Sequence, residues 1–441
     1  MLANKFFYSK IFFSFFLFAR VEIDANKLSC EISAPIAILI NAENGRVLFE
    51  KRAHERCYPA STTKVATALY ALYKKNKEMQ DFIIVSQDAV GIVSPQVRRY
   101  SGKHPSYRLE FGGTHAGMKP GEEVDALSVL YAVMLASAND ACNVLAEWTC
   151  GSVTNFMAEL NLFLQKIGCS DTYFTNPHGL PDDEHVTTAA DLAKMAYFAK
   201  KYPLFRKVVA TTKYEYPATN KQTTFWMSQT NALLKPGKFY YPYATGIKTG
   251  YTQKAGHNLI ASACKGDRDL IAVICGCDER SKRYRSAVDL FETAFNEPKN
   301  IRKLLSKEHD LFSKQIEGAK YSLEAVLESD LSVSFYPSEE PILSPKIDWF
   351  SLSLPIPAGS AVGVVRVFDA EGKEWVNVNL RALKAVDPTW QYVAKGYARA
   401  LGGWLRMHKI YAGYILALTL LWIPIFLLKK KRLKRRRNRI L

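Results

Sequence analysis

A serine three residues ahead of a lysine, Ser61-Thr-Thr-Lys64, is the first pair in this 441-residue chain whose types and spacing could do chemistry. On a helix, positions i and i+3 share a face, so the lysine amine can stand against the serine hydroxyl and, when neutral, take its proton. The same residues also read as a helix start. In "YPASTTKVATALYAL" a run rich in Ala, Leu and Tyr begins at Ser61, and serine is a common N-cap. Spacing alone decides nothing, because Ser262-Ala-Cys-Lys265 repeats it at a strand end, where i and i+3 point to opposite faces. Two further groups give Ser61 its company. Ser137-Ala-Asn139 ends the apolar helix "VLYAVMLASAND", and Lys248-Thr249-Gly250 follows "ATGI"; the separations are 76 (137−61) and 111 (248−137) residues.

The elements that must position these groups follow from periodicity. "APIAILINAENGRVLFEKRA" alternates around a turn at Glu43-Asn44-Gly45, which predicts a β-hairpin just before the Ser61 helix. Residues 125–200 carry apolar side chains at three-and-four spacing with Gly or Pro between runs, which predicts several helices. "NLIASACKGDRDLIAVICGC" predicts two strands joined at Lys265-Gly266-Asp267, and "KRYRSAVDLFETAFN" a closing helix. One α/β unit with a sheet built from both ends of this region accounts for the order. From about residue 318 the text turns to short alternating runs broken by Pro and Gly, an all-β pattern.

The two ends of the chain point to export. Lys5 and Lys10 precede the apolar run Ile11–Ala19, the layout of a signal peptide with cleavage after Ala19 or Ala25; an uncleaved anchor reads the same. Lys27 in "KLSC" argues against lipidation of Cys30. Near the other end, residues 410–428 are 19 uncharged residues, about the thickness of a hydrocarbon core as a helix. "KKKRLKRRRNRIL" follows with nine Lys or Arg and no acid, which by the positive-inside rule stays cytoplasmic. Removing those nine charges from the net +17 leaves about +8, so the basic balance does not call for nucleic acid, and no nucleic-acid module is visible. Residues 388–409 mix Trp, Tyr and Leu with Lys, Arg and His, which suits a membrane-surface helix or a linker. The eight cysteines are too sparse for a disulfide scaffold and include no CxxC; Cys142 and Cys150 share one helix too far apart to pair with each other.

Ser-x-x-Lys, Ser-x-Asn and Lys-Thr-Gly, in that order, are the motifs of penicillin-binding proteins and class A β-lactamases. The blocks "GRVLFEKRAHERCYPASTTK", "LASANDACNVLAE", "TYFTNPHGLPDDEHVTTAADLAKMA" and "ATGIKTGYTQKAGHNLIASA" extend the likeness. Over roughly residues 34–300 the chain resembles the low-molecular-mass penicillin-binding proteins, the D-alanyl-D-alanine carboxypeptidases of serine peptidase family S11. The resemblance implies an α/β (α+β) penicillin-binding/β-lactamase-like transpeptidase fold with a C-terminal all-β domain, here followed by a C-terminal transmembrane helix. The expected order is a signal peptide at 1–25, a peptidase domain at 31–300, a β-rich domain at 318–387, a juxtamembrane segment at 388–409, a span at 410–428 and a basic cytoplasmic tail at 429–441. The enzyme would then sit in the cytoplasmic membrane of a bacterium, with its catalytic domain on the outer side.

The activity implied is removal of the terminal D-alanine of peptidoglycan pentapeptide through an acyl-enzyme, with β-lactams as covalent inhibitors and neither cofactor nor metal. Ser61 would be the nucleophile and Lys64 its base, with Lys248 lowering the Lys64 pKa by like-charge repulsion. Ser137 would relay a proton to the departing amine, and Asn139 would hold the peptide amide. Backbone N–H groups of Ser61 and Tyr251 would form the oxyanion hole. Lys248 and Thr249, with Arg283, would receive the substrate carboxylate, and Gly250 and Tyr251 complete the substrate-binding positions.

Rival readings are a DD-endopeptidase that cuts cross-links, a muropeptide-sensing scaffold without catalysis, and a β-lactamase. The last is disfavoured because the nearest match to the Glu-x-Glu-Leu-Asn deacylation loop is "MAELN", with Met157 in place of the first Glu. The eight histidines show no His-Glu-x-x-His for a metallo-amidase, and His178 in "NPHGL" reads as a turn former. The basic stretch 91–123 is expected as a loop near the cleft mouth.

Overall fold

Asn41 turns the chain at the first hairpin, its Oδ1 accepting from the N–H groups of Glu43 and Asn44 while Gly45 takes a positive φ of 76°. The strands it joins are β1 (Ile36–Asn41) and β2 (Val47–Lys51). The other strands of the same sheet come from 200 residues later in the chain: β3 (Ala244–Thr252), β4 (Gly256–Lys265) and β5 (Arg268–Cys277). The five form one antiparallel sheet in the order β2-β1-β5-β4-β3, so the sheet is closed by strands from both ends of the region, and β3 lies at its edge. The computed structural model describes residues 27–94, 96–97 and 104–437, with side chains described as far as residue 423. The signal segment expected at 1–25, residues 95 and 98–103 of the basic stretch and residues 438–441 of the expected tail lie outside these.

Both faces of the sheet are buried, which is why β5 reads as the unbroken apolar run "LIAVICGC". Ile271, Val273 and Cys275 face one core with Ile36 and Ile38, against a helical layer. Leu270, Ala272 and Ile274 face the other, against α7 (Arg280–Phe295), which contributes Tyr284, Leu290 and Phe291. The helical layer holds α1 (Lys64–Lys75), α2 (Ala126–Tyr131), α3 (Asn139–Cys150), α4 (Val153–Lys166), α5 (Ala189–Lys200) and α6 (Pro203–Ala210). Met157 is buried inside α4, so "MAELN" is a piece of core helix and not a loop.

By compactness the chain falls into two units, 1–298 with 336–340, and 299–335 with 341–441. Arg268 explains the short return to the first unit. It is 1% exposed and its guanidinium is bound by Glu297, Glu339 and Ser338 with the Tyr336 ring at 3.8 Å, a buried charge neutralised by two carboxylates. The second unit starts ahead of the expected 318, with the strand pair Asn300–Leu305 and Leu331–Phe335. Its main sheet has five antiparallel strands around Leu323, Ala325, Val365, Val367 and Leu380. The fold is thus α+β with a C-terminal β domain.

The chain ends in α8 (Trp390–Arg437), a single helix through both the expected surface segment and the expected span. Among the described residues no helix is long and apolar enough to cross a membrane. That departs from the transmembrane helix expected at 410–428, whose residues 424–428 lie beyond the described side chains.

Candidate active site

Whether Ser61 caps the helix is decided locally by the shape of the turn that carries it. Ala60–Thr63 is a 3-10 turn that runs into α1 at Lys64, entered through Ala60 at a φ of +50°. Side chains at i and i+3 eclipse in such a turn, and Lys64 Nζ lies 3.0 Å from Ser61 Oγ. Neither capping position, Pro59 nor Thr63, makes a side-chain cap bond, so Ser61 is not the cap of this helix. Thr62 and Thr63 instead turn their hydroxyls back onto the carbonyls of Pro59 and Ala60.

Lys64 is fully buried, and its amine has two further partners: Asn139 Oδ1 at 2.7 Å and the His178 carbonyl at 2.7 Å. Both of these can only accept. A neutral amine has two N–H groups and one lone pair, so the two carbonyls use both N–H groups and the lone pair is left facing the Ser61 hydroxyl. Burial pushes the Lys64 pKa down, in the direction a base needs, and the nearby Cys142 and Asp140 only partly oppose it. Lys248 is also fully buried, its Nζ 3.0 Å from the Thr249 carbonyl, and its pKa is pushed well down by burial first and by the charge of Lys64 second. Burial, which the sequence reading did not weigh, is thus the first cause at both lysines.

A pH profile follows. Acylation by a fluorescent penicillin needs neutral Lys64, so its rate should rise with pH through an inflection below the ordinary lysine value of about 10.4. Stability carries the same sign, since the unfolded lysine binds a proton that the buried amine resists, and unfolding becomes harder as pH rises between the two pKa values. A rate that rises only in the range of ordinary lysines would contradict a tuned Lys64.

The second motif sits at a break between helices. Ala132–Ala136 forms a π-turn capped by Ser137 in the left-handed conformation (φ 64°, ψ 30°), and α3 then starts at Asn139. Ser137 and Asn139 are 8% and 5% exposed. Asn139 spends its carbonyl on Lys64, which sequence reasoning had assigned only to the substrate amide. Asp140 next door accepts from the N–H groups of Ala116, Gly117 and Met118, and the Asn139 N–H binds the Thr114 carbonyl. These bonds hold residues 114–118 of the basic stretch against the motif. A Cβ on Gly113 would stand 2.9 Å from Asn139 Nδ2.

The third motif lies on edge strand β3. Gly250 packs directly on the Ser61 turn: a Cβ there would meet the Pro59 carbonyl at 2.9 Å and the Ser61 nitrogen at 3.1 Å. Its lack of a side chain is what lets strand and turn touch. Thr249 Oγ1 donates to Thr230 Oγ1 at 2.9 Å, and Tyr251 is exposed with its ring stacked 4.3 Å from that of His257. Arg283, expected at the substrate carboxylate, lies against the third motif. It is 5% exposed and its Nη groups bind the carbonyls of Gly250 and Asn258 and the Tyr284 hydroxyl, a brace behind the strand.

Sequence reasoning missed three residues that build the site. Asn258 donates to the carbonyls of Tyr58 and Pro59 and accepts from the Gly276 N–H, tying the turn to the sheet. Thr230 supports Thr249. Gly179, in "NPHGL", has a φ of +89°, and a Cβ on it would lie 1.9 Å from the Ala60 carbonyl. His178 is a turn former as expected, with ring nitrogens at the Tyr107 carbonyl and the Leu180 N–H, but its own carbonyl is also a Lys64 acceptor.

With this geometry in place, comparison with known proteins is direct. The profile of peptidase family S11, described as D-alanyl-D-alanine carboxypeptidase, matches residues 22–279. The chain is 33% identical over 267 residues to the D-alanyl-D-alanine carboxypeptidase DacF of Bacillus subtilis, covering 60% of this chain and 62% of that protein. It thus spans less than two thirds of that relative's length. DacD of Salmonella typhimurium, another D-alanyl-D-alanine carboxypeptidase, is 25% identical over 397 residues, 87% of this chain and 95% of the relative. Penicillin binding protein 5 from Haemophilus influenzae superposes with a TM-score of 0.54 at 24% identity, over 81% of this chain and 99% of that one, a likeness of fold.

Proposed function

The chain belongs to the S11 family of D-alanyl-D-alanine carboxypeptidases, and on that premise we propose that it is a serine-type carboxypeptidase that removes the terminal D-alanine from peptidoglycan pentapeptide. One observation carries the reading. The buried Lys64 Nζ stands 3.0 Å from Ser61 Oγ, and its other two partners, Asn139 Oδ1 and the His178 carbonyl, can only accept, so that in its neutral form its lone pair faces the serine hydroxyl.

Ser61 Oγ attacks the carbonyl of the penultimate D-alanine as Lys64 takes its proton. The tetrahedral oxyanion is received by the N–H groups of Ser61 and Tyr251, which the close approach of Gly250 to the turn favours. Collapse breaks the amide; Ser137 passes a proton to the leaving D-alanine, and water then hydrolyses the ester with Lys64 again as base. The extended peptide adds along the open edge of β3, where main-chain bonds supply affinity and Lys248, Thr249 and Asn139 supply orientation. β-Lactams acylate the same serine. We place the catalytic domain outside the cytoplasmic membrane, held by a single span at 410–428. Supporting this are the uncharged stretch, the nine-charge tail behind it, and the exposure of Ile410, Ile415, Leu416, Leu420 and Trp422 on several sides of α8.

The test offers a pentapeptide ending in D-Ala-D-Ala and, separately, a cross-linked muropeptide dimer. Release of free D-alanine from the first, with slower cleavage of the second, is expected. Cleavage of the dimer without D-alanine release would replace the proposal by an endopeptidase, and neither product would leave a penicillin-binding sensor.

A further inference from the structure

The loop that follows "NPHGL" is clamped at both ends onto the turn that carries Ser61. At one end Gly179 packs on Ala60, where a Cβ would lie 1.9 Å from the carbonyl oxygen. At the other the His185 ring Nε2 stands 2.8 Å from Thr63 Oγ1. Between these anchors Asp183 is held out into solvent, its side chain 93% exposed, and it pairs with Lys254 Nζ. Lys254 comes from the turn between β3 and β4, where the Thr252 hydroxyl accepts from the Ala255 N–H at 3.1 Å. Its amine also stands 4.1 Å from the centre of the Tyr58 ring, three residues ahead of Ser61, and the Tyr58 carbonyl is tied to β4 by Asn258. Three segments that bear on the Ser61 turn thus converge on one ammonium–carboxylate pair. An ion pair this exposed does little for the fold, so stability does not account for the convergence.

The direction of the substrate does. With the terminal carboxylate at Lys248 and Thr249 and the scissile carbonyl at the Tyr251 N–H, the peptide runs antiparallel to β3. The residue ahead of the two D-alanines then lies about 3.4 Å further along, beside Thr252–Lys254. We propose that Lys254 and Asp183 form the subsite for this third residue from the C-terminus, and that they select a side chain ending in both a carboxylate and an ammonium. The carboxylate is received by Lys254 and the ammonium by Asp183, so the two ion pairs close into a ring of alternating charge. Each partner already holds the other ionised: the bond to Lys254 lowers the Asp183 pKa, and the bond to Asp183 raises that of Lys254. The Tyr58 ring beneath the lysine gives the aliphatic stem of the side chain an apolar floor. The inference rests on the carboxypeptidase reading, which sets the direction in which the peptide lies.

The test measures D-alanine release by the full-length chain in detergent from three peptides, acyl-X-D-Ala-D-Ala, with X as meso-diaminopimelate, lysine or norleucine. These end in both charges, in the ammonium alone and in neither. In the wild type kcat/KM is expected to fall about fivefold at each step of that series, the size of one exposed charge contact apiece. Lys254→Met should abolish the first step and keep the second, whereas Asp183→Asn should keep the first and abolish the second. Both variants should melt with the wild type. Equal kcat/KM on the three peptides, both steps surviving in both variants, or a uniform loss on all three in either variant would overturn the subsite and leave the carboxypeptidase reading standing. No D-alanine from any peptide, by a chain that benzylpenicillin still acylates, would overturn that reading and the subsite with it.

Discussion

Replacing Lys64 by methionine is expected to slow acylation by roughly 10³-fold or more, within the range that a positioned general base contributes. The side chains are similar in length, and what disappears is the lone pair at Ser61 Oγ. Stability should change little by comparison. The variant no longer buries an amine, and against that it leaves Asn139 Oδ1 and the His178 carbonyl without their donor, at about 1–3 kcal/mol each. A 10³-fold rate loss corresponds to about 4 kcal/mol of barrier, so the two readouts separate cleanly. Stopped-flow labelling with a fluorescent penicillin and a thermal melt on the same sample check it. Acylation within tenfold of wild type would remove Lys64 as the base.

Gly179→Ala is expected to damage the site from behind. The added methyl would lie 1.9 Å from the Ala60 carbonyl oxygen and 2.4 Å from its carbon, at a φ of +89° where only glycine is comfortable. Both obstacles are backbone, so the Ala60–Thr63 turn must move or the Gly179 loop must lift, and the His178 carbonyl that orients Lys64 moves with it. Destabilisation of roughly 2–4 kcal/mol follows from the clash and the strained φ. An acylation loss of about 10²-fold follows from misplacing reactive groups by an ångström. Gly151→Ala is the control: its φ is +77° but nothing lies within 4 Å of the added carbon, so it should cost stability of about 1 kcal/mol and leave acylation alone. Equal effects at the two positions would show that backbone strain, and not the contact with Ala60, is what Gly179 relieves.

The groups proposed to react were legible in the sequence because chemistry fixes their types. A serine, two lysines, a second serine and an asparagine must appear as themselves, in an order that the sheet and helices can bring together. The supports were not legible, because they act through main-chain atoms and at long range. Nothing in "NPHGL" says that its His178 carbonyl will meet a lysine 114 residues earlier. Nor does Asn258, near the start of an apolar strand, announce that it will hold the Tyr58 and Pro59 carbonyls. Burial as the first cause of the Lys64 pKa shift was not legible for a related reason: it depends on how α1, α3 and the 178–179 turn close around the amine, which charge order along the chain does not reveal. Tyr336–Glu340 reads as one more stretch of β-rich text, yet Arg268 and Glu297 draw it into the first unit. Arg283 followed sequence only in part, since a cation near the third motif was visible but its engagement with the Gly250 and Asn258 carbonyls was not.

The central claim is that Ser61 becomes covalently acylated. Intact mass measurement after incubation with benzylpenicillin, followed by peptide mapping, tests it most directly. One penicilloyl adduct per chain is expected, located on Ser61 within the peptide that contains Lys64 and absent from Ser61→Ala. An adduct that persists in Ser61→Ala, or that maps to Ser137 or to either lysine, would contradict the account.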